Sequence, residues 1–128
     1  MIRLALVALV VAACGGDDGG GTPDARMADA PMNTNKVQTV TCPTTADAMV
    51  TVNAGGSAYV PMTQTVAVNA IVKFVMTPTH DAKPNTLTTT DPGIVVDFGA
   101  TKCLKFTQAG TYGFFCTAHS FAGTITVQ

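Results

Sequence analysis

LKFTQAGTYGFFCTAHSFAGTITV, Leu104–Val127, is the stretch from which the fold can be read. Leu104 and Phe106 alternate with Lys105 and Thr107, the period of a strand with one buried and one wet face. Ala109-Gly110 punctuates the run as a turn. Gly110–Phe115 then resumes as an apolar, aromatic-rich strand, and Thr124–Val127 alternates again. Between those last two strands, on a turn, stand Cys116 and His119, with two residues between them. The stretch reads as strands joined by tight turns, with two soft metal-binding side chains on one connection.

Outward from this hairpin the same texture continues. Further strands are expected at Met49–Asn53, Thr65–Val68, Ile71–Val75, Thr86–Thr89, Ile94–Asp97 and Lys102–Thr107. The turn signals Ala54-Gly55-Gly56, Asn69-Ala70 and Asp91-Pro92-Gly93 separate them. Thr and Val are abundant, Leu and Glu are scarce, and no stretch holds a 3.6-residue period. About seven or eight short strands in roughly 90 residues imply an all-β fold, an antiparallel Greek-key sandwich or barrel. Charged residues make up 12% of the 128 and the formal net charge is −1. A chain without a basic stripe has nothing to neutralise phosphates, so nucleic acid is excluded as a partner, and a monomer is expected.

The N-terminal third reads differently. After Arg3, the apolar run Leu4–Ala13 is half of the about 20 residues a membrane-spanning helix needs, and it ends in small residues. This is a secretory signal. VAAC, Val11–Cys14, resembles the bacterial lipobox, which implies lipidation of Cys14 and an anchor at the membrane. With Gly15 next, the resemblance implies a periplasmic or outer-membrane, cell-surface lipoprotein. A signal peptide cut nearby is the alternative. Residues 15–36, rich in Gly, Asp, Pro and Ala, read as a flexible tether. The organisation expected is therefore signal 1–14, tether 15–36 and folded domain 37–128.

The chain has 4 cysteines and 2 histidines. With Cys14 in the anchor and Cys116 beside His119, Cys42 and Cys103 remain. In an oxidising compartment such a pair is expected to form a disulfide, two free thiols being the alternative. If Leu104 and Phe106 point into the core, Cys103 points outward and Cys42 must cover it from outside. A Cys-x-x-His pair alone is half a zinc site, a thiol beside a base, or chance. Structural zinc requires four ligands, and His80 is the one other histidine. The set Cys116, His119 and His80 matches the trigonal donor set of a blue-copper site. A Cys-His nucleophile is the next reading, but no orienting residue or substrate cleft is marked.

Over Tyr59–Gln128 the chain resembles the cupredoxins, the plastocyanin- and azurin-like blue copper proteins. YVPMTQTVAVNAIVKF is similar to their first core hairpin, and TPTHDAKP to the loop carrying the first copper histidine. FTQAGTYGFFCTAH fills each marked position of Phe-x-x-x-Gly-x-Tyr-x-x-x-Cys-x-x-His. The resemblance implies one type 1 copper held by His80, Cys116 and His119. The implied function is one-electron transfer without catalysis, with a redox partner docking near His119. It also implies a link beside the metal, made here by Asp81 and Thr117. Asp81 stands where many members have Asn, which would favour Cu(II).

One feature departs from the family. The usual methionine, three to five residues after the second histidine, is replaced by Ala122, Gly123 and Thr124. The alternatives are an apolar axial cap by Phe121 or Ala122, a weak oxygen donor such as the Thr79 carbonyl or water, or a domain that binds copper poorly. Phe121 reads either as part of an apolar docking surface, with Pro61 and Met62, or as hairpin packing. Copper trafficking or sequestration, and a metal-free surface module, are the competing functions.

Overall fold

The computed structural model describes residues 34–128. The signal 1–14 with Cys14, and the tether up to residue 33, lie outside the described residues. Strands and turns make up the described chain, with no helix among those residues. The strands are β1 (Val37–Val40), β2 (Ala48–Val52), β3 (Tyr59–Val60), β4 (Thr63–Val66), β5 (Ile71–Val75), β6 (Lys83–Pro84), β7 (Thr101–Phe106), β8 (Gly110–Phe115) and β9 (Ala122–Val127).

They form two sheets, ordered β1-β7-β5-β2-β3 and β4-β9-β8-β6. Between the sheets lie the inward faces of the alternating strands: Val50, Val72, Phe74, Leu104, Phe106, Phe114 and Ile125, all fully buried. Tyr59, Phe74 and Phe114 pack edge to face or tilted, with ring centroids 4.7 and 5.3 Å apart. Such pairs add to the stabilisation already gained from burying apolar area.

The all-β sandwich is as expected, with differences of detail. Two ladders, β2 with β5 and β4 with β9, are parallel rather than antiparallel. Parallel neighbours need a crossover, and the chain supplies one by moving between sheets before returning. Short β1, β3 and β6 escape pattern reading because two to four residues carry too little periodicity. Pro84 sits in the edge strand β6, where a missing N–H costs no ladder bond.

Thr86–Thr89 is not a strand. The Asn85 side chain accepts the Leu87 N–H at 3.1 Å, and the Asn85 carbonyl accepts from Thr88 at 3.1 Å. This local turn overrides the β propensity of the threonines. The loop crosses Gly113, where a Cβ would lie 2.1 Å from Thr88 Oγ1. Ile94–Asp97 keeps its alternating burial but forms only the single bridge Ala82–Val96.

Cys42 and Cys103 form a disulfide. Val40 pairs with Cys103 in the β1–β7 ladder, which carries Cys42 to a Cα–Cα separation of 5.1 Å. Cys103 is buried but does not belong to the hydrophobic cluster that contains Leu104 and Phe106. That agrees with a side chain on the outer face, covered by exposed Cys42. The start of β1 is held by buried Asp91, whose carboxylate accepts from the N–H groups of Lys36, Val37 and Gly93. Lys36, assigned to the tether by composition, is thus already tied to the sandwich.

Candidate metal centre

Two loops bring the candidate ligands to one place. The first follows β5. Thr77-Pro78-Thr79-His80 is a tight turn, with Pro78 in the position where its fixed φ suits a turn. The His80 N–H donates to the Thr77 carbonyl at 2.9 Å, and the Gly99 N–H donates to the same oxygen at 2.8 Å. The second loop joins β8 to β9. It is closed by Cys116 N–H to Phe121 O at 2.9 Å and Ser120 N–H to Cys116 O at 2.8 Å, with Ser120 at φ 61°.

Asp81 locks the loops together. Its carboxylate accepts from the Thr117 N–H at 2.8 Å and the Thr117 hydroxyl at 2.7 Å. The side chain is buried, and the Tyr59 hydroxyl donates to the Asp81 carbonyl at 2.6 Å. Burial, and then the neighbouring Cys116 and Asp81, push the Tyr59 phenol well above its ordinary pKa. Tyr59 therefore remains a neutral donor.

His80, His119 and Cys116 meet at this junction. Cys116 is buried, and it is the free cysteine among the described residues. Its Sγ lies 3.7 Å from His119 Nδ1. The imidazoles of His80 and His119 stack, with centroids 4.6 Å apart. His80 is buried, whereas His119 is exposed. Among the described residues no three His, Cys, Asp or Glu side chains stand in closed metal-ligand geometry. Cys116 and His119 lie side by side, while His80 Nδ1 is engaged by the hydroxyls of Thr77 at 2.5 Å and Thr79 at 3.0 Å. His80 Nε2 lies 3.0 Å from the Gly56 carbonyl. A carbonyl only accepts, so Nε2 carries the proton and Nδ1 presents its lone pair.

Phe121 is half-buried beside both rings, 5.5 Å from His80 and 6.2 Å from His119. It also packs edge-on against Tyr59, at 4.7 Å. Ala122 opens β9 opposite Phe115 and lines a shallow groove of about 310 Å³ with Asn85, Leu87 and Ser120. Of the two residues considered as an apolar cap, Phe121 is the one with ring contacts to the histidines. Sequence reading named the Thr79 carbonyl but missed the Gly56 carbonyl and the hydroxyls of Thr77 and Thr79. Their partner His80 is distant from Gly56 in sequence, and a hydroxyl near a histidine leaves no spacing signature.

A family model described as copper binding proteins of the plastocyanin/azurin family matches residues 46–128. The chain belongs to that family. Copper is accordingly its cofactor, and a thiolate with two imidazoles is a donor set that fits copper. Among solved structures, this cupredoxin is similar to amicyanin from Paracoccus versutus, at 17% identity and TM-score 0.54, over 73% of this chain and 99% of that one. Plastocyanin from Dryopteris crassirhizoma follows at 22% identity and TM-score 0.52, over 62% and 99%. Pseudoazurin from Hyphomicrobium denitrificans has 17% identity and TM-score 0.50, over 62% and 73%. At these identities the likeness bears on the fold. No curated protein matches the sequence.

Gly56 shows how tightly the first histidine is held. At φ +65° it occupies a region that disfavours other residues, and a Cβ there would lie 3.1 Å from His80 Cε1 and 3.2 Å from Nε2. Gly56→Ala is expected to cost about 1 kcal/mol in backbone strain and to tilt the imidazole. Urea unfolding and copper titration of the variant check both effects. Unchanged copper affinity would show that the Gly56 carbonyl does not orient His80.

Proposed function

We propose that the protein is a type 1 copper protein that carries single electrons, with His80, Cys116 and His119 as the ligands. The observation that carries this reading is the junction itself. A buried thiol stands 3.7 Å from His119 Nδ1, and His80 stacks on the same ring, in a member of a copper-binding family. Bound copper supplies a one-electron couple. The chain's own residues supply rigidity. Asp81 pins the two loops, Gly56 fixes the His80 tautomer, and Phe121 excludes water from one side of the imidazoles. A site held in one geometry reorganises little when charge changes, and that favours transfer over catalysis.

Exposed His119 is the proposed point of electron entry and exit, with Phe121 and the 60%-exposed Met62 as apolar neighbours for a redox partner. Export as a lipoprotein anchored through Cys14, to the periplasm or the cell surface, is proposed from the N-terminal sequence. The tether would then let the domain reach partners near the membrane.

Addition of Cu(II) to the purified protein is expected to give an intense visible thiolate-to-copper band, lost completely in Cys116→Ser. Tight Cu(I) binding without that band would favour trafficking or sequestration. A protein that takes up neither ion would be a metal-free surface module.

A further inference from the structure

The absence of a methionine after His119 raises the question of what else can reach the metal, and the other loop offers oxygen. Thr77 Oγ1 and Thr79 Oγ1 lie 2.5 and 3.0 Å from His80 Nδ1. With Nε2 committed to Gly56, both hydroxyls face the Nδ1 lone pair. One lone pair needs one donor, so the second hydroxyl is surplus to hydrogen bonding. The Thr77 backbone does not drift, because its carbonyl accepts from both His80 and Gly99. A first-row metal binds an imidazole nitrogen at about 2.0–2.1 Å. An ion on this lone pair would break the hydroxyl's hydrogen bond to Nδ1, the hydroxyl keeping its proton, and leave the Thr77 oxygen among its nearest neighbours. Phe121, which lies beside both imidazoles, has no lone pair to offer.

The geometry points to Thr77, with Thr79 beside it, as the source of a hydroxyl oxygen donor to the metal in place of methionine sulfur. This rests on the copper reading above. A hydroxyl is a harder donor than a thioether or an apolar cap, so it favours Cu(II) over Cu(I) and draws the potential down relative to a three-ligand site.

The test uses the copper-loaded protein and the variants Thr77→Val, Thr79→Val, the double variant and Thr77→Ser. Both threonines are exposed, so removal of a hydroxyl spares the core. In Thr77→Val and the double variant the thiolate band is expected to persist, the copper hyperfine splitting to change and the reduction potential to rise. Thr77→Ser is expected to restore the parent values. Electron–nuclear double resonance of the parent in H₂O and D₂O provides a measurement independent of any variant's folding. It should show a strongly coupled exchangeable proton, which disappears in Thr77→Val. Parent-like spectra and potential in the double variant, or no such proton in the parent, would overturn the proposal while leaving the copper reading intact. A parent without any thiolate band would overturn both.

Discussion

Cys42→Ser is expected to unfold about 4 kcal/mol sooner than the parent. The bridge closes a loop with a sequence separation of 61, and in the chain-entropy model a loop of that size stabilises by about 4 kcal/mol. Small domains have roughly 5–15 kcal/mol in total, so the loss is a large share of what holds the sandwich together. Cys42 is the better of the two to replace. It is exposed, so serine is solvated there, whereas Cys103 is buried and its loss would add a cavity. The bridge also ties Cys42, just past β1, directly to β7. β1 is an edge strand whose one ladder partner is β7, so the bridge reinforces the sheet's outermost pairing. Urea unfolding with and without reductant provides the check. The parent's midpoint should fall on reduction and Cys42→Ser should be insensitive to it. Equal midpoints for parent and variant would mean that the reduced chain is held by the β1–β7 ladder and Asp91 alone.

The fold was legible where alternation ran long enough to be counted. β5 and β8 begin and end where the pattern places them, and β7 and β2 are displaced by one residue. Each has a buried inner face, and burial is what the two-residue period encodes. The Thr86–Thr89 segment misled because threonine's β propensity is a weak preference, and the Asn85 side chain outweighs it through local hydrogen bonds. β4 lies two residues earlier than expected. Asn69 takes φ 70°, and the Ala70 N–H donates to the Ala67 carbonyl, so the chain is already turning there. The site divides in the same way. Cys116, His119 and His80 stand out because the residue types are rare in this chain. The groups that orient them are a glycine carbonyl and two threonine hydroxyls among many others, and only folding singles these out.

Asp81→Ala is expected to lower stability by about 3 kcal/mol and to degrade the copper spectrum, whereas Asp81→Asn should do much less to either. Asp81 is buried, and its carboxylate receives two hydrogen bonds from Thr117. Bonds to charged acceptors each contribute about 1.5–3 kcal/mol, and the exposure of Thr117 to water keeps the total near the low end. Alanine removes both bonds, and with them the link between the His80 loop and the Cys116–His119 loop. The ligands would then sample a spread of separations, broadening the thiolate band and slowing electron transfer. Asparagine keeps the shape. Its amide oxygen can accept from the Thr117 N–H, and its NH₂ can donate to the Thr117 hydroxyl oxygen once that hydroxyl turns. What asparagine does not keep is the negative charge beside the metal. Its loss favours Cu(I), so the potential should rise while the band stays sharp. Thermal unfolding, visible spectra and voltammetry of the two variants separate these roles. If Asn broadens the band as much as Ala, the carboxylate itself, rather than the link, holds the loops. If neither variant moves the spectrum, Ser120 and the Cys116–Phe121 backbone bonds set the second loop without help from Asp81.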